Sequence, residues 1–240
     1  MSAAAWRRWP VWVWCLLLLA ALLVAMTLAV TWGAVPLQAG AVWRILCHEL
    51  LGLVGLRGPT PDWSVQQHQI VWMLRMPRVL LAALVGAGLA TVGVVMQAMV
   101  RNPLADPYLL GVSSGASVGA VSVLAFGSFA AAGLYAISAG AFCGALLATT
   151  AVYVLAREHG RIQATRLILS GVALGYFLMG LTSLITLTAG QRVLANALMT
   201  WTLGSLAGAQ WTSLGLPALL LVLGLAWLLV QARPLNALLA

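Results

Sequence analysis

The 240-residue chain contains no lysine, only four carboxylates and only 7% charged residues. Each scarcity excludes something. Without lysine there is no Walker A loop, whose lysine must reach the nucleotide phosphates, so any ATP hydrolysis serving this chain sits on another polypeptide. So little charge excludes a soluble globular domain, which carries about 25%. The three histidines, His48, His68 and His159, all fall outside the long apolar runs, and those runs hold no Asp, Glu or Arg. That removes the buried ionisable groups on which ion-coupled carriers depend. It also removes the nucleophile with its base, or the metal cluster, that an intramembrane enzyme needs. Three cysteines fit no pairing scheme and no metal spacing. Cys15 and Cys143 sit in apolar runs as small hydrophobes, and Cys47 is a lone thiol in a loop.

What remains is 63% hydrophobic, with a mean hydropathy of +1.04. The bilayer is the solvent of such a chain. A net charge of +8 would suggest nucleic acid in a soluble protein. Here the arginines stand at the ends of apolar runs, where they face phosphate headgroups and set topology. There is no basic run of the kind a nucleic-acid patch requires.

The apolar runs predict an all-α, polytopic membrane protein with about six spans, at 11–32, 79–100, 109–127, 134–156, 167–189 and 212–230. They form one transmembrane domain over residues 1–240. A run of about 20 apolar residues crosses the roughly 30 Å of hydrocarbon as a helix. Arg7 and Arg8 precede the first span, which is too long for a signal-peptide core and is expected to be a retained anchor. Between Gly33 and Gln69 lies the longest polar stretch, with a short amphipathic helix expected within Val42–Leu51. His48 beside Glu49 invites a metal or proton site, but no partner ligands recur at metal spacing, and a solvated loop face is favoured. The uncharged stretch from Leu109 to Ala156 is too long for one span and is expected to break between Gly127 and Gly133. Residues 191–210 read as interfacial, with Trp201 and Trp211 suited to the headgroup belt.

The chain is organised around Arg75–Gly119. This stretch opens with two arginines three apart, runs through an uncharged helix and turns at Arg101-Asn102-Pro103-Leu104-Ala105-Asp106-Pro107. Both prolines forbid a continuous helix there. Gly86, Gly88 and Gly93 thin one side of the second span, and Gly111, Gly115 and Gly119 recur every four residues, as do Gly140 with Gly144 and Gly171 with Gly175; such small residues let helices approach closely in lipid. Ser170, Thr182, Ser183, Thr186 and Thr188 can bond their own helix carbonyls or line a wet path. An even number of spans puts both termini on one side, and arginines at span ends favour a cytoplasmic N-terminus by seven to five. Arg75 and Arg78 then sit outside, against the topology rule. As the N-terminal residues of a helix they would also oppose its macrodipole. An external anionic partner and plain headgroup contact both account for them.

The combination RMPR, GAGLATVGVVMQ and RNPLADPYLLGVSSGA resembles the permease subunits of bacterial ABC importers for iron-siderophores, haem and cobalamin, the FecCD type. TRLILSGVAL at 165–174, WTLGSLAG at 201–208 and ARPLNALLA at 232–240 extend the resemblance. It implies a ten-helix importer permease in the bacterial inner membrane, working as a homodimer or beside a similar subunit. Cytoplasmic ATPase subunits would attach below and a periplasmic or lipid-anchored substrate-binding protein would dock outside. Carried over by position, Arg75 and Arg78 receive acidic side chains of the binding protein. Asn102 and Leu104 match one segment narrowing the cytoplasmic exit, and Ala164 and Thr165 match the other. No cofactor, metal or catalytic residue is implied. The chain ends where the family's ATPase-contacting segment would follow, so a C-terminally truncated copy is expected. An ion-coupled secondary transporter or channel is the rival reading.

Overall fold

In hydrocarbon a backbone must satisfy its own hydrogen bonds, and a lone segment does so only as a helix. The structure, a computed structural model, describes residues 10–128, 133, 135–158, 161–189 and 192–239. It is helical almost throughout: α1 (Val11–Thr31), α2 (Ala39–Leu53), α3 (Val65–His68), a π-helical stretch (Gln69–Arg75) and α4 (Met76–Val100) come first. A 3₁₀ turn (Pro107–Leu110), α5 (Val112–Phe126), α6 (Ala136–Ala156), α7 (Ala164–Thr188), α8 (Arg192–Leu203), α9 (Trp211–Val230) and α10 (Ala232–Leu239) follow. Among the described residues the only strands are β1 (Arg157–Glu158) and β2 (Arg161–Ile162), an antiparallel pair between α6 and α7. Arg7 and Arg8, residues 129–132 of the expected break, Leu134, His159 and Gln191 lie outside the described residues.

Among the described residues, five helical stretches are long and apolar enough to cross a membrane: Val11–Thr31, Val65–Val100, Ala136–Ala156, Ala164–Thr188 and Trp211–Val230. The third expected span, 109–127, is shorter than predicted. Its 15-residue helix α5 is about 22 Å long, less than the hydrocarbon thickness. Pro107 opens the 3₁₀ turn, and Gly111 at φ 68° ends it, so the α-helix begins only at Val112. Gly127 at φ 65° then stops it.

The second span starts earlier than predicted. Ser64 caps it in a reciprocal box: its hydroxyl accepts from the Gln67 N–H at 3.2 Å, and the Gln67 side-chain oxygen accepts from the Ser64 N–H at 3.0 Å. From there the helix runs 36 residues to Val100. Arg75 and Arg78 are therefore interior to it, ten or more residues past its start. The helix-dipole penalty acts only in the first turn, so that part of the argument for an anionic partner falls.

The chain divides into two compact units. The first comprises Met1–Val85 with Leu206–Leu221, and the second Gly86–Ser205 with Val222–Ala240. In the first, Val30, Val42, Ile45, Leu46, Val71 and Trp72 form the buried cluster, with Trp211 packed on it. In the second, the core is Met96, Val100, Ala105, Val152, Ala156 and Leu167. Outside these clusters the large apolar side chains of α1 and α9 stand exposed, as expected where lipid tails cover them.

Candidate functional site

Two places carry the sequence-predicted residues, one in each unit. In the first unit the chemistry starts from Pro77. Proline has no N–H, so position 77 cannot donate to a carbonyl in the turn behind it. The Met76 N–H reaches back five residues to the Val71 carbonyl, in π register. In that register the Trp72 carbonyl would face the missing N–H of Pro77. It is bonded from elsewhere: Trp211 at the start of α9 donates its indole N–H to it at 2.9 Å. The two indole rings lie 4.6 Å apart at 39°. Trp211 is thus a structural donor, a role its expected place in the headgroup belt did not suggest.

The π stretch ends at Arg75. One of its terminal nitrogens donates to the carbonyls of Val30 and Thr31, both at 2.9 Å, and the other to that of Val35 at 2.5 Å. Val30 and Thr31 close α1, and the last carbonyls of a helix have no partner within it. Arg75 therefore caps α1 from 44 and 45 residues away. Gly33 makes room for this: a Cβ there would lie 2.6 Å from the guanidinium. Arg78, three residues on, donates through Nε to the Ala207 carbonyl at 3.1 Å. Both arginines line a cavity of about 290 Å³ whose walls include Trp32, Val35, Leu74 and Val79. A second cavity, of about 410 Å³, lies between Met73–Leu74 and the 207–212 segment.

The polar stretch between Gly33 and Gln69 is more ordered than a solvated loop. Glu49 pairs with His68 at 2.7 Å rather than with its neighbour His48. His48 bonds the Pro59 carbonyl through Nδ1 at 2.9 Å and meets Trp63 edge to face. Arg44 pairs with Asp62 at 3.1 Å. The expected helix within Val42–Leu51 is present and longer, as α2.

In the second unit α4 ends on Arg101 with φ 54°, a conformation helices normally reserve for glycine. The Asn102 N–H bonds the Gln97 carbonyl and the Arg101 N–H bonds that of Ala98, which closes the helix end as a Schellman motif does. The Asn102 side-chain oxygen then accepts from the Leu104 N–H at 2.9 Å, and that of Asp106 accepts from the Tyr108 N–H at 2.7 Å. Asn102 and Asp106 thus hold a turn that the two prolines make obligatory. Ala105 is buried in the core with Val152, Ala156 and Leu167. Because Leu167 belongs to the first turn of α7, the turn and the start of α7 share one core. Ala164 and Thr165 lie in that first turn; they, Asn102 and Leu104 are exposed, Leu104 by 84%. Nearby, Glu158 accepts from Arg166 at 2.7 Å and from Gln163 at 2.9 Å. Replacing Asp106 with alanine removes a capping acceptor and should lower stability by about 1 kcal/mol, read as a small drop in melting temperature; no change would show the turn is held by its prolines alone.

The glycines divide. Gly115 and Gly119 of α5 meet Gly144 and Gly140 of α6 backbone to backbone. A Cβ at Gly115 would lie 2.5 Å from the Gly144 oxygen, and one at Gly119 would overlap the Gly140 carbonyl. Gly111 is not on the α5 face: its left-handed φ makes it the hinge, close to Gly171 and Gly175 of α7. Gly86 and Gly93 of α4, expected to admit a neighbour, have no non-local atom within 4 Å of an added Cβ. Thr182, Ser183, Thr186 and Thr188 bond carbonyls of their own helix, at 2.8–3.0 Å to the residue four back.

Residues 18–240 match the FecCD transport family. The chain belongs to that family. Among FecCD relatives, the cobalamin import system permease protein BtuC of Halobacterium salinarum is 41% identical over 171 residues, 71% of this chain and 45% of that protein. The vitamin B12 import system permease protein BtuC of Klebsiella pneumoniae is 39% identical over 181 residues, 75% of this chain and 53% of its own length. The hemin transport system permease protein HmuU of Yersinia pestis is 38% identical over 183 residues, 73% and 54% of the two chains. A solved structure, described as an inward-facing conformation of a metal-chelate type ABC transporter, aligns at a TM-score of 0.72 and 26% identity. It covers 92% of this chain and 62% of the other. The chain spans about half the length of the curated relatives it matches. It is a multi-pass, all-helical membrane protein of the FecCD family.

Proposed function

We propose that this chain is the permease subunit of an ATP-driven importer that moves a metal chelate of the cobalamin, haem or iron-siderophore class across a bacterial inner membrane. The observation that carries this reading is likeness to import permeases over 71–75% of the chain, together with the family match over residues 18–240, which includes the Arg101–Pro107 turn. Residues 1–240 form one permease domain with a cytoplasmic N-terminus. It works beside a second permease subunit, an identical copy or a similar one. ATPase subunits supply the energy, since a chain without lysine has no Walker A loop. The arginine face at Arg75 and Arg78 receives a substrate-binding protein. Asn102, Leu104, Ala164 and Thr165 narrow the cytoplasmic exit: four exposed residues on two segments that share one core can shift together as that core repacks. A hydrophobic constriction such as Leu104 gates by excluding water.

Uptake by the host cell tests this. Deleting the gene should abolish uptake of one labelled chelate among cobalamin, haem and ferric siderophores. The remaining uptake in the parent should follow ATP and persist when ion gradients are collapsed at constant ATP. Uptake that follows an ion gradient and ignores ATP would overturn the class in favour of a secondary carrier.

A further inference from the structure

The helix α2 carries more apolar surface than the core uses. Each residue advances about 100° around a helix of 3.6 residues per turn, and on α2 this produces three faces. Val42, Ile45 and Leu46 form the first, buried in one cluster with Val30, Val71 and Trp72. Arg44 and His48 form the second, and the loop after α2 folds over it. Asp62 pairs with Arg44, while the Pro59 carbonyl and the Trp63 ring hold His48. Trp43, Cys47, Leu50 and the C-cap Val54, spaced at i, i+4, i+7 and i+11, form the third. All four are exposed.

The core fixes the depth of this stripe. With 21 residues α1 is about 31 Å long, the thickness of the hydrocarbon, so its last turn reaches the headgroup boundary. Val30 belongs to that turn and shares the buried cluster with α2. The helix α2 therefore sits where acyl chains give way to headgroups. Its charges agree. Both carboxylates of the Gly33–Gln69 stretch are taken, Glu49 by His68 and Asp62 by Arg44, while Arg57 just past the stripe is exposed. A tryptophan, aliphatic side chains and an arginine are what an interfacial helix presents to a membrane. Area argues against a protein cover. The stripe is about 16 Å long and no wider than the roughly 10 Å helix, so it offers roughly 160 Å², against about 800 Å² per partner in a stable protein interface.

We propose that α2 is an interfacial helix, lying along the membrane surface with Trp43, Cys47, Leu50 and Val54 sunk among phospholipid headgroups and upper acyl chains. Its buried face packs on Val71 and Trp72, so the bilayer supports the π stretch through α2. This assignment depends neither on the cargo nor on the energy source.

The full chain in phosphatidylcholine nanodiscs gives the test. Cys15→Ala and Cys143→Ala leave Cys47 as the one thiol, which takes a nitroxide label without any substitution in α2. Collision of the label with oxygen, which concentrates in acyl chains, is compared with collision with a water-soluble nickel chelate. The Cys47 label should read a depth of about 5–10 Å, the reach of an interfacial helix's apolar face. A label at Thr60→Cys in a Cys47→Ala chain, on the loop over the polar face, should read as fully aqueous. Leu50→Glu should raise nickel access at Cys47, and Leu50→Met should leave it unchanged. A Cys47 label as open to nickel as the Thr60→Cys label would overturn the proposal. Spin–spin broadening at Cys47 that vanishes on dilution with unlabelled chain would assign the stripe to a second copy. Shielding in native membranes but not in the discs would assign it to a protein partner. Either result would overturn the lipid assignment while leaving the uptake experiment untouched.

Discussion

Gly119→Leu should leave no folded chain, whereas Gly86→Leu should leave a monodisperse, normally melting one. Both glycines sit in apolar helices and both looked like packing positions in the sequence. A side chain at Gly119 meets the Gly140 carbonyl carbon at 2.6 Å and the Ala141 Cα at 3.1 Å. These are backbone atoms of α6, which cannot rotate away as a side chain does. Inserting methylenes into a close-packed contact costs about 1–3 kcal/mol when side chains can yield; here the helices themselves must separate. Separation also exposes Gly115 and Gly144, so one substitution breaks the whole small-residue seam, and dispersion across that seam is what holds helices together in lipid. At Gly86 nothing lies within 4 Å. Size-exclusion profile and melting temperature in detergent read the contrast. A folded Gly119→Leu chain with unchanged melting would show that α5 and α6 are not held by this seam.

The contrast marks where the sequence was and was not legible. Composition decides the solvent, so helices in lipid followed from the uncharged runs alone, and α1, α6, α7 and α9 lie within a few residues of the expected spans. The Arg101–Pro107 turn was legible because prolines act locally and fix what the chain cannot do. The spacing of Gly115, Gly119, Gly140 and Gly144 was legible as a packing seam, but spacing alone could not distinguish those positions from Gly86 and Gly93. That distinction depends on which helix arrives. Gly111 was misplaced on the α5 face because a four-residue repeat says nothing about a left-handed backbone. The start of the second span was missed for a different reason: the Ser64–Gln67 box lies in a polar stretch, where a helix start reads as loop.

Arg75 and Arg78 were singled out in the sequence partly for a reason that did not survive, the helix dipole. What the structure adds is that both line one cavity of about 290 Å³. Their partners lie 40, 44, 45 and 129 residues away, and no local pattern encodes contacts of that kind. The same holds for the indole that completes the π stretch, at a separation of 139 residues.

That indole gives the last prediction. Trp72 is buried, so a Trp72 carbonyl without its Trp211 donor has no water to turn to. Trp211→Phe keeps most of the ring contact and removes the donor, and should destabilise the chain by about 1–3 kcal/mol, the range for a buried polar group left unpaired. Trp211→Ala also removes the ring and should reach about 3–5 kcal/mol. Packing alone would predict that order as well, so the deciding measurement is a double-mutant cycle with Pro77. Pro77→Ala supplies an N–H at position 77, the backbone donor that the π register lacks. If the Trp211 indole is needed because Pro77 cannot donate, then Trp211→Phe should lose much of its effect in the Pro77→Ala background. Additive effects would separate the two and show that the π stretch is held by side-chain packing. Coupling would mean that one residue beside the π stretch dictates the chemistry of another on a helix far along the chain. The π register before Arg75, and with it the place of both arginines, would then depend on a hydrogen bond that only the assembled fold provides.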